Sequence, residues 1–193
     1  MGETFVFSTE LKKKLFRRLA LDGLLDFGYK LEKFQPRPMI KACQKHFGSQ
    51  SIKGCEIGVW MGDHAVEIKK SLNCELYLID PYKEYEKYRT YEAVRGYEDY
   101  RQSNLDTAKS IARWRLDRVW TTRDKLPEMD FIYIDANHSY KYVMKDIKLA
   151  LSKVKSGIIG GHDYSTDYPG VIQAVNERFS DFQFKGNDWW VII

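Results

Sequence analysis

The residues of this sequence best suited to chemistry gather at the ends of apolar runs. "DFIYID" closes on Asp135 and is followed by Asn137 and His138. "GIIGG" runs into His162 and Asp163, "ELYLI" stops at Asp80, and "CEIGVW" leads through a glycine turn to Asp63 and His64. An imidazole is suited to proton transfer near neutral pH. A carboxylate at the end of a strand can accept hydrogen bonds from both hydroxyls of a ribose. An amide such as Asn137 can orient a partner but cannot take its proton.

Such residues need elements to carry them. "KGCEIGVW", "ELYLID", "DRVWTT", "DFIYID", "GIIGGHDY", "FQFKG" and "WWVII" read as seven strands. Helical spacing falls between them, in "DHAVEIKKSL", in 96–114, in "YKYVMKDIKLALSKV" with Gly157 just past its end, and in "GVIQAVNERF". Strand and helix in alternation imply an α/β fold with a mostly parallel sheet and helices on both faces. The last two strands are joined too tightly for a parallel crossover, so they pair antiparallel. In such a sheet, ligands bind at the carboxyl ends of the strands. Three of the four histidines fall there; His46 reads as an ordinary helix-end residue.

Upstream, Leu11, Leu15, Phe16, Leu19, Ala20 and Leu24 follow helical spacing, with Lys12, Lys13, Arg17 and Arg18 between them. "QPRPMIKACQKHFG" reads as a second helix, opened by its prolines and closed by Gly48. Residues 1–50 are expected to form an N-terminal helical cap and 51–193 the main domain. Between the second strand and the next helix lies "PYKEYEKYRTYEAVRGYEDY", long enough for a lid. Its Tyr82, Tyr85, Tyr88 and Tyr91 recur every third residue. They either line an acceptor pocket or pack as a helix face.

The turn "EIGVWMGD" lacks the three glycines of a dinucleotide site, and Trp60 stands where a pyrophosphate needs close access, which argues against NAD or FAD. Asp80 has two readings, as a ribose acceptor or as a turn residue before Pro81. The formal net charge is +4. The first fifty residues hold ten Lys and Arg against five Asp and Glu, a solvated face or a contact for an anionic partner. Three cysteines, Cys43, Cys55 and Cys74, are too few and too scattered for a disulfide framework, which suggests a reduced, cytoplasmic protein. No apolar run is long enough for a membrane span, and the N-terminus lacks a signal-peptide pattern.

Together, "CEIGVWMGDHAVEI", "LYLIDPY", "DFIYIDANHSYKYVMKDIKLAL" and "SGIIGGHDY" resemble the class I S-adenosylmethionine-dependent methyltransferases, over about 53–193. The resemblance is to the small-molecule O-methyltransferases among them, whose turns read Asp-x-(Asp/Asn)-His-Ser-Tyr and Gly-Gly-His-Asp-Tyr. It implies a Rossmann-like, doubly wound, seven-stranded sheet with an antiparallel last strand. Glu56, Gly58 and Gly62 would surround the methionine part of the cofactor, with His64 either at its carboxylate or simply opening its helix. Asp80 would hold the ribose, Thr122 and Arg123 the adenine, and Asp135 would lie beside the reacting centre. Relatives can hold a magnesium-like ion with acids at the positions of Asp135, His162 and Asp163. A histidine in that set suits manganese, iron or zinc better. Where the pattern often has a second acid, this chain has Asn137, so His138 becomes the candidate base or orienter.

The expected activity is therefore methyl transfer from S-adenosylmethionine to a small-molecule hydroxyl, with a divalent ion (Mg or Mn) as an open addition. Nucleic acid and membrane are not expected partners; a homo-oligomer is compatible. Two other readings stay open: an RNA or protein methyltransferase using the basic N-terminal helix, and a cofactor-binding module without catalysis.

Overall fold

The computed structural model describes residues 35–83, 102–116 and 126–193. The expected helix near the N-terminus, the strand "DRVWTT", the residues Thr122 and Arg123 and the tyrosine-rich stretch beyond Lys83 lie outside them. The chain divides into two units, Met1–Gln35 and Pro36–Ile193. The second begins ahead of the boundary expected at residue 50, because α1 (Pro38–Phe47) belongs to it. Met39, Ile40, Cys43 and Phe47 form one apolar face of that helix, and they join Phe131, Ile158 and Trp190 in a core.

The remaining elements run in order: β1 (Ile52–Ile57), α2 (Asp63–Ser71), β2 (Cys74–Ile79), α3 (Gln102–Arg115), β3 (Met129–Ile134), α4 (Tyr140–Lys153), β4 (Val154–Gly161), α5 (Pro169–Arg178), β5 (Gln183–Lys185) and β6 (Asp188–Ile192). Among the described residues they make one six-stranded sheet of order β2-β1-β3-β4-β6-β5. The first four strands are parallel; β6 runs antiparallel to β4 and β5 antiparallel to β6. This is a mixed α/β, Rossmann-like sheet, with the antiparallel ending that the short last connection predicts.

Side chains alternate across the strands, so each face has its own core. Cys55, Ile57, Ile132, Ile134 and Ile159 pack with Val143, Ile147 and Ala150 of α4 and Val171, Ala174 and Val175 of α5. Ile52, Phe131, Tyr133, Ile158 and Trp190 face α1 and Ile68 of α2. A third cluster joins Val59, Ala65 and Leu78 to Leu105, Ala108 and Ala112 of α3. Each fully buried isoleucine contributes about 2 kcal/mol, so the strand ends are set on a rigid platform. All three cysteines are free. Among the described residues, no helix is long and apolar enough to cross a membrane.

One boundary differs from expectation. The helix expected through Val154, with Gly157 just beyond it, ends at Lys153, and β4 starts at once. Val154 is buried and pairs with Met129, while Ile158 pairs with Phe131, so the register shifts between them. Gly157 takes φ +152 in that shift. A Cβ there would meet the Asp130 carbonyl oxygen at 1.9 Å. The glycine thus permits a bulge in the strand.

Candidate active site

The chain leaves β1 for β2 on one side and later returns to lay β3 on the other, so the order reverses between β1 and β3. That is where an open α/β sheet binds its ligands. A cavity of about 350 Å³ lies there, within the range of small-molecule sites. Gly58 leaves β1 with its N–H on the Ile79 carbonyl (2.8 Å), and the Asp135 N–H reaches the Ile57 carbonyl (2.8 Å). The two loops are nearly in contact. A Cβ on Gly58, whose φ is +91, would lie 1.9 Å from the Asp135 carbonyl oxygen. Glycine at this position accommodates the neighbouring loop.

Asp80 ends β2 and turns back onto that loop. Its Oδ2 accepts the N–H groups of Val59 (2.9 Å) and Trp60 (3.0 Å), and its Oδ1 accepts that of Tyr82 (2.8 Å). Trp60 and Tyr82 both have positive φ, 49° and 45°. The carboxylate therefore holds two strained turns together, and it also lines the cavity. Gly62, at φ 83, is the N-cap of α2 and packs under Leu116; it does not line the cavity. Arg115 hydrogen-bonds Asp63 in the first turn of α2.

Glu56 and His64 form a buried pair, with Oε1 and Nδ1 2.7 Å apart. Desolvation, then the nearby Asp135 charge, push the Glu56 carboxyl up. Desolvation, then the positive Arg37, push His64 down to about 4. Both shifts disfavour the charged forms of the pair. Glu56 Oε2 and His64 Nε2 are buried with no hydrogen-bond partner, and both residues line the cavity. Buried polar atoms without a partner are uncommon in folded proteins.

On the other side stand Asp135, Asn137, His138 and Asp163, all lining the cavity. His138 Nε2 is 2.9 Å from Asp163 Oδ2, and His162 Nδ1 is 2.9 Å from Asp163 Oδ1. Desolvation by burial opposes ionisation of Asp163, but its bonds to the two imidazoles win and hold its carboxyl well below the usual range. Asp163 sits at φ 60, a conformation that aspartate tolerates better than most residues. Asn137 Oδ1 accepts the N–H of Ser139 (3.0 Å) and its hydroxyl (2.7 Å), which shapes the turn. His138 also packs on the Tyr168 ring, centroid to centroid 4.3 Å.

A match to a sequence family decides what this arrangement belongs to. The family model described as a methyltransferase domain matches residues 55–164, more than half of the chain. The chain belongs to that methyltransferase family. No curated protein sequence matches this methyltransferase. Among solved structures it is similar to CalS11, a calicheamicin methyltransferase, with TM-score 0.56 and 13% identity over 100% of this chain and 97% of that one. A second CalS11 structure, described as a TDP-rhamnose 3'-O-methyltransferase, gives TM-score 0.53 and 12% identity over 97% and 96%. The O-methyltransferase NovP matches with TM-score 0.55 and 16% identity over 79% of this chain and 76% of that one. At these identities the structures establish a shared fold.

Of the site residues expected from the sequence of this methyltransferase, Glu56, Gly58, His64, Asp80, Asp135, Asn137, His138 and Asp163 line one cavity. His162 does not. The expected trio of Asp135, His162 and Asp163 is replaced by Asp135, His138 and Asp163, whose ligand atoms all lie within 4.8 Å of one another. The His162 ring instead bonds Asp163 through Nδ1 and lies 3.9 Å from Asp188 through Nε2. Two further residues, Arg37 and Asp188, carry no motif that marks them in the sequence. Arg37 stands between two prolines at an expected helix start, and Asp188 in the short connection between the last two expected strands. Arg37 in fact pairs with Asp135 at 2.8 Å and lines the cavity. Asp188 is buried, accepting the Tyr133 hydroxyl (2.8 Å) and the Met39 N–H (3.0 Å).

Proposed function

We propose that this methyltransferase moves a methyl group from S-adenosylmethionine to a hydroxyl of a small molecule. One observation carries the reading: Asp80, Glu56, Asp135 and the His138–Asp163 pair all line a single cavity at the switch point of the sheet. It is also in keeping with CalS11 and NovP, described as O-methyltransferases, one of them acting on a nucleotide sugar.

In this reading Asp80 holds the ribose. Three of its roughly four acceptor positions bind backbone N–H groups, which fixes the carboxylate and leaves capacity for a hydroxyl. Glu56 and Asp135 face the cationic amino-acid end and the sulfonium. Gly58 and Gly62 set the loop that supports them, His64 orients Glu56, and Thr122 and Arg123 are assigned to the adenine edge. The acceptor oxygen attacks the methyl carbon in line, the carbon–sulfur bond breaks, and its electron pair stays on sulfur. The acceptor proton passes to His138, which Asp163 orients and whose positive charge Asp163 offsets. Asn137 shapes the turn that presents His138. Alignment and exclusion of water supply most of the acceleration.

The resemblance also implied a divalent ion, and the residues do not fit one well. Asp135 Oδ2 is engaged by Arg37, and each oxygen of Asp163 by an imidazole. His162 lies off the cavity, and a carboxylate–imidazole set is poor for magnesium. No step is therefore routed through a metal. Three free cysteines support a reducing, cytoplasmic setting. The test is turnover of methyl-labelled S-adenosylmethionine against a panel of sugar and phenol hydroxyls. Label in a small-molecule ether supports the proposal; label in RNA or protein, or none anywhere, overturns it.

A further inference from the structure

We propose that Arg37 is a cation built into the reacting centre, holding the acceptor oxygen in the role a divalent ion would otherwise play. The inference rests on the methyl-transfer reading and adds a residue to it that the sequence motifs do not contain.

Arg37 is held from three directions. Its NH1 donates to Tyr133 Oη at 2.9 Å and to Asp135 Oδ2 at 2.8 Å, and its guanidinium carbon lies 5.7 Å from the centre of the Tyr133 ring. Its backbone N–H donates to the buried carboxylate of Glu67 on α2. Tyr133 is itself pinned, because its hydroxyl donates to Asp188 on β6, which also receives the first turn of α1 through the Met39 N–H. A buried chain from β6 through β3 thus fixes a guanidinium at the cavity wall. A residue serving only to neutralise Asp135 would not need that support.

Among the described residues, the side-chain hydrogen bonds of Arg37 all come from NH1. That leaves Nε and NH2 with donors for a ligand, on a planar group suited to oxygen anions. The side chain is 31% exposed and lines the cavity together with Asp135 and His138. An acceptor hydroxyl giving its proton to His138 becomes more negative as the methyl group arrives, and a prepositioned cation stabilises that charge. The same guanidinium discourages a metal at Asp135, both by occupying Oδ2 and by charge repulsion.

Three measurements test this. The first is Mn(II) binding by electron paramagnetic resonance, with neither cofactor nor acceptor present, so it remains decidable if the methyl-transfer reading fails. Wild type is expected to leave the ion free at micromolar concentrations, and Arg37→Met to bind it at least about tenfold more tightly. The second is turnover with and without chelator, expected to be equal. The third is a pair of variants. Arg37→Met is expected to lose on the order of 100-fold or more in kcat, with affinity for S-adenosylhomocysteine within about threefold. Arg37→Lys, which keeps the charge if the methionine variant fails to fold, is expected to recover at least a tenth of wild-type kcat. Tight Mn(II) binding by wild type, chelator-sensitive turnover, an Arg37→Met variant with normal kcat, or equal losses of kcat and cofactor affinity would each overturn the proposal.

Discussion

His138 Nε2 and Asp163 Oδ2 lie 2.9 Å apart, although they sit on the loops after two different strands, β3 and β4. The contact exists because β3 and β4 are parallel neighbours in register, with Ile134 opposite Gly161. It gives the proposed base an orienting carboxylate. His138→Gln should therefore lower kcat by about 100- to 10,000-fold, with affinity for S-adenosylhomocysteine unchanged. Asp163→Asn should lower kcat less, since the imidazole remains. Steady-state kinetics with calorimetric binding checks both; equal loss of binding and turnover in His138→Gln would argue for a structural role.

A second expectation concerns protons. Burial and the Asp135 charge push Glu56 up, so its carboxyl holds a proton in the free protein at pH values where an exposed glutamate would not. A cationic ligand at Oε2 favours the ionised form. Binding of S-adenosylmethionine should then release a proton, and affinity should rise with pH until Glu56 ionises unaided. Calorimetry in buffers of different ionisation enthalpy measures that release. Glu56→Gln should abolish it and weaken binding by about tenfold or more. Proton uptake by wild type would contradict the assignment.

His64 adds a stability consequence of definite sign. Its folded pKa, lowered to about 4 by burial and then by Arg37, lies below the ordinary value of 6.5. Below pH 6.5 the unfolded chain takes up a proton that the folded chain refuses. The stability contributed by neutral His64 is thus present above that pH and lost as pH falls toward 4. His64→Asn should flatten the unfolding free energy across that window, as followed by urea denaturation. An unchanged slope would count against the burial of a neutral His64.

The glycines separate by what surrounds them. Gly58→Ala drives a Cβ into the Asp135 carbonyl at φ +91 and should cost more than about 3 kcal/mol, with loss of cofactor binding. Gly186→Ala, at φ +60 with nothing within 4 Å, should cost about 1 kcal/mol and leave binding intact. Thermal unfolding and calorimetry on the two variants compare them directly.

Much of this was legible because it is local. A glycine turn marked the end of β1, acids the ends of β2 and β3 and a His-Asp pair that of β4, and their parallel order put Asp80, Asp135, His138 and Asp163 on one edge. What escaped depends on contacts far apart in sequence. Arg37 finds Asp135 and Tyr133 only after α1 docks on the sheet, and Asp188 reads as a turn residue until Tyr133 and Met39 reach it. The exchange of His162 for His138 in the acidic cluster has a similar cause. Ring orientation at a strand end follows from partners such as Asp188, which spacing cannot reveal. The end of α4 is not legible in the sequence because Val154 suits either element until it pairs with Met129.

Asp80 provides the most direct test of the whole account. It joins the loop after β1 to the end of β2, and the proposed ribose must meet it there. The deciding measurement is calorimetric titration of S-adenosylhomocysteine into wild type and Asp80→Ala, with circular dichroism to establish that the variant is folded. Wild type is expected to bind at about 1–100 μM and the variant not detectably. No binding to wild type, or equal affinity in a folded Asp80→Ala, would contradict it.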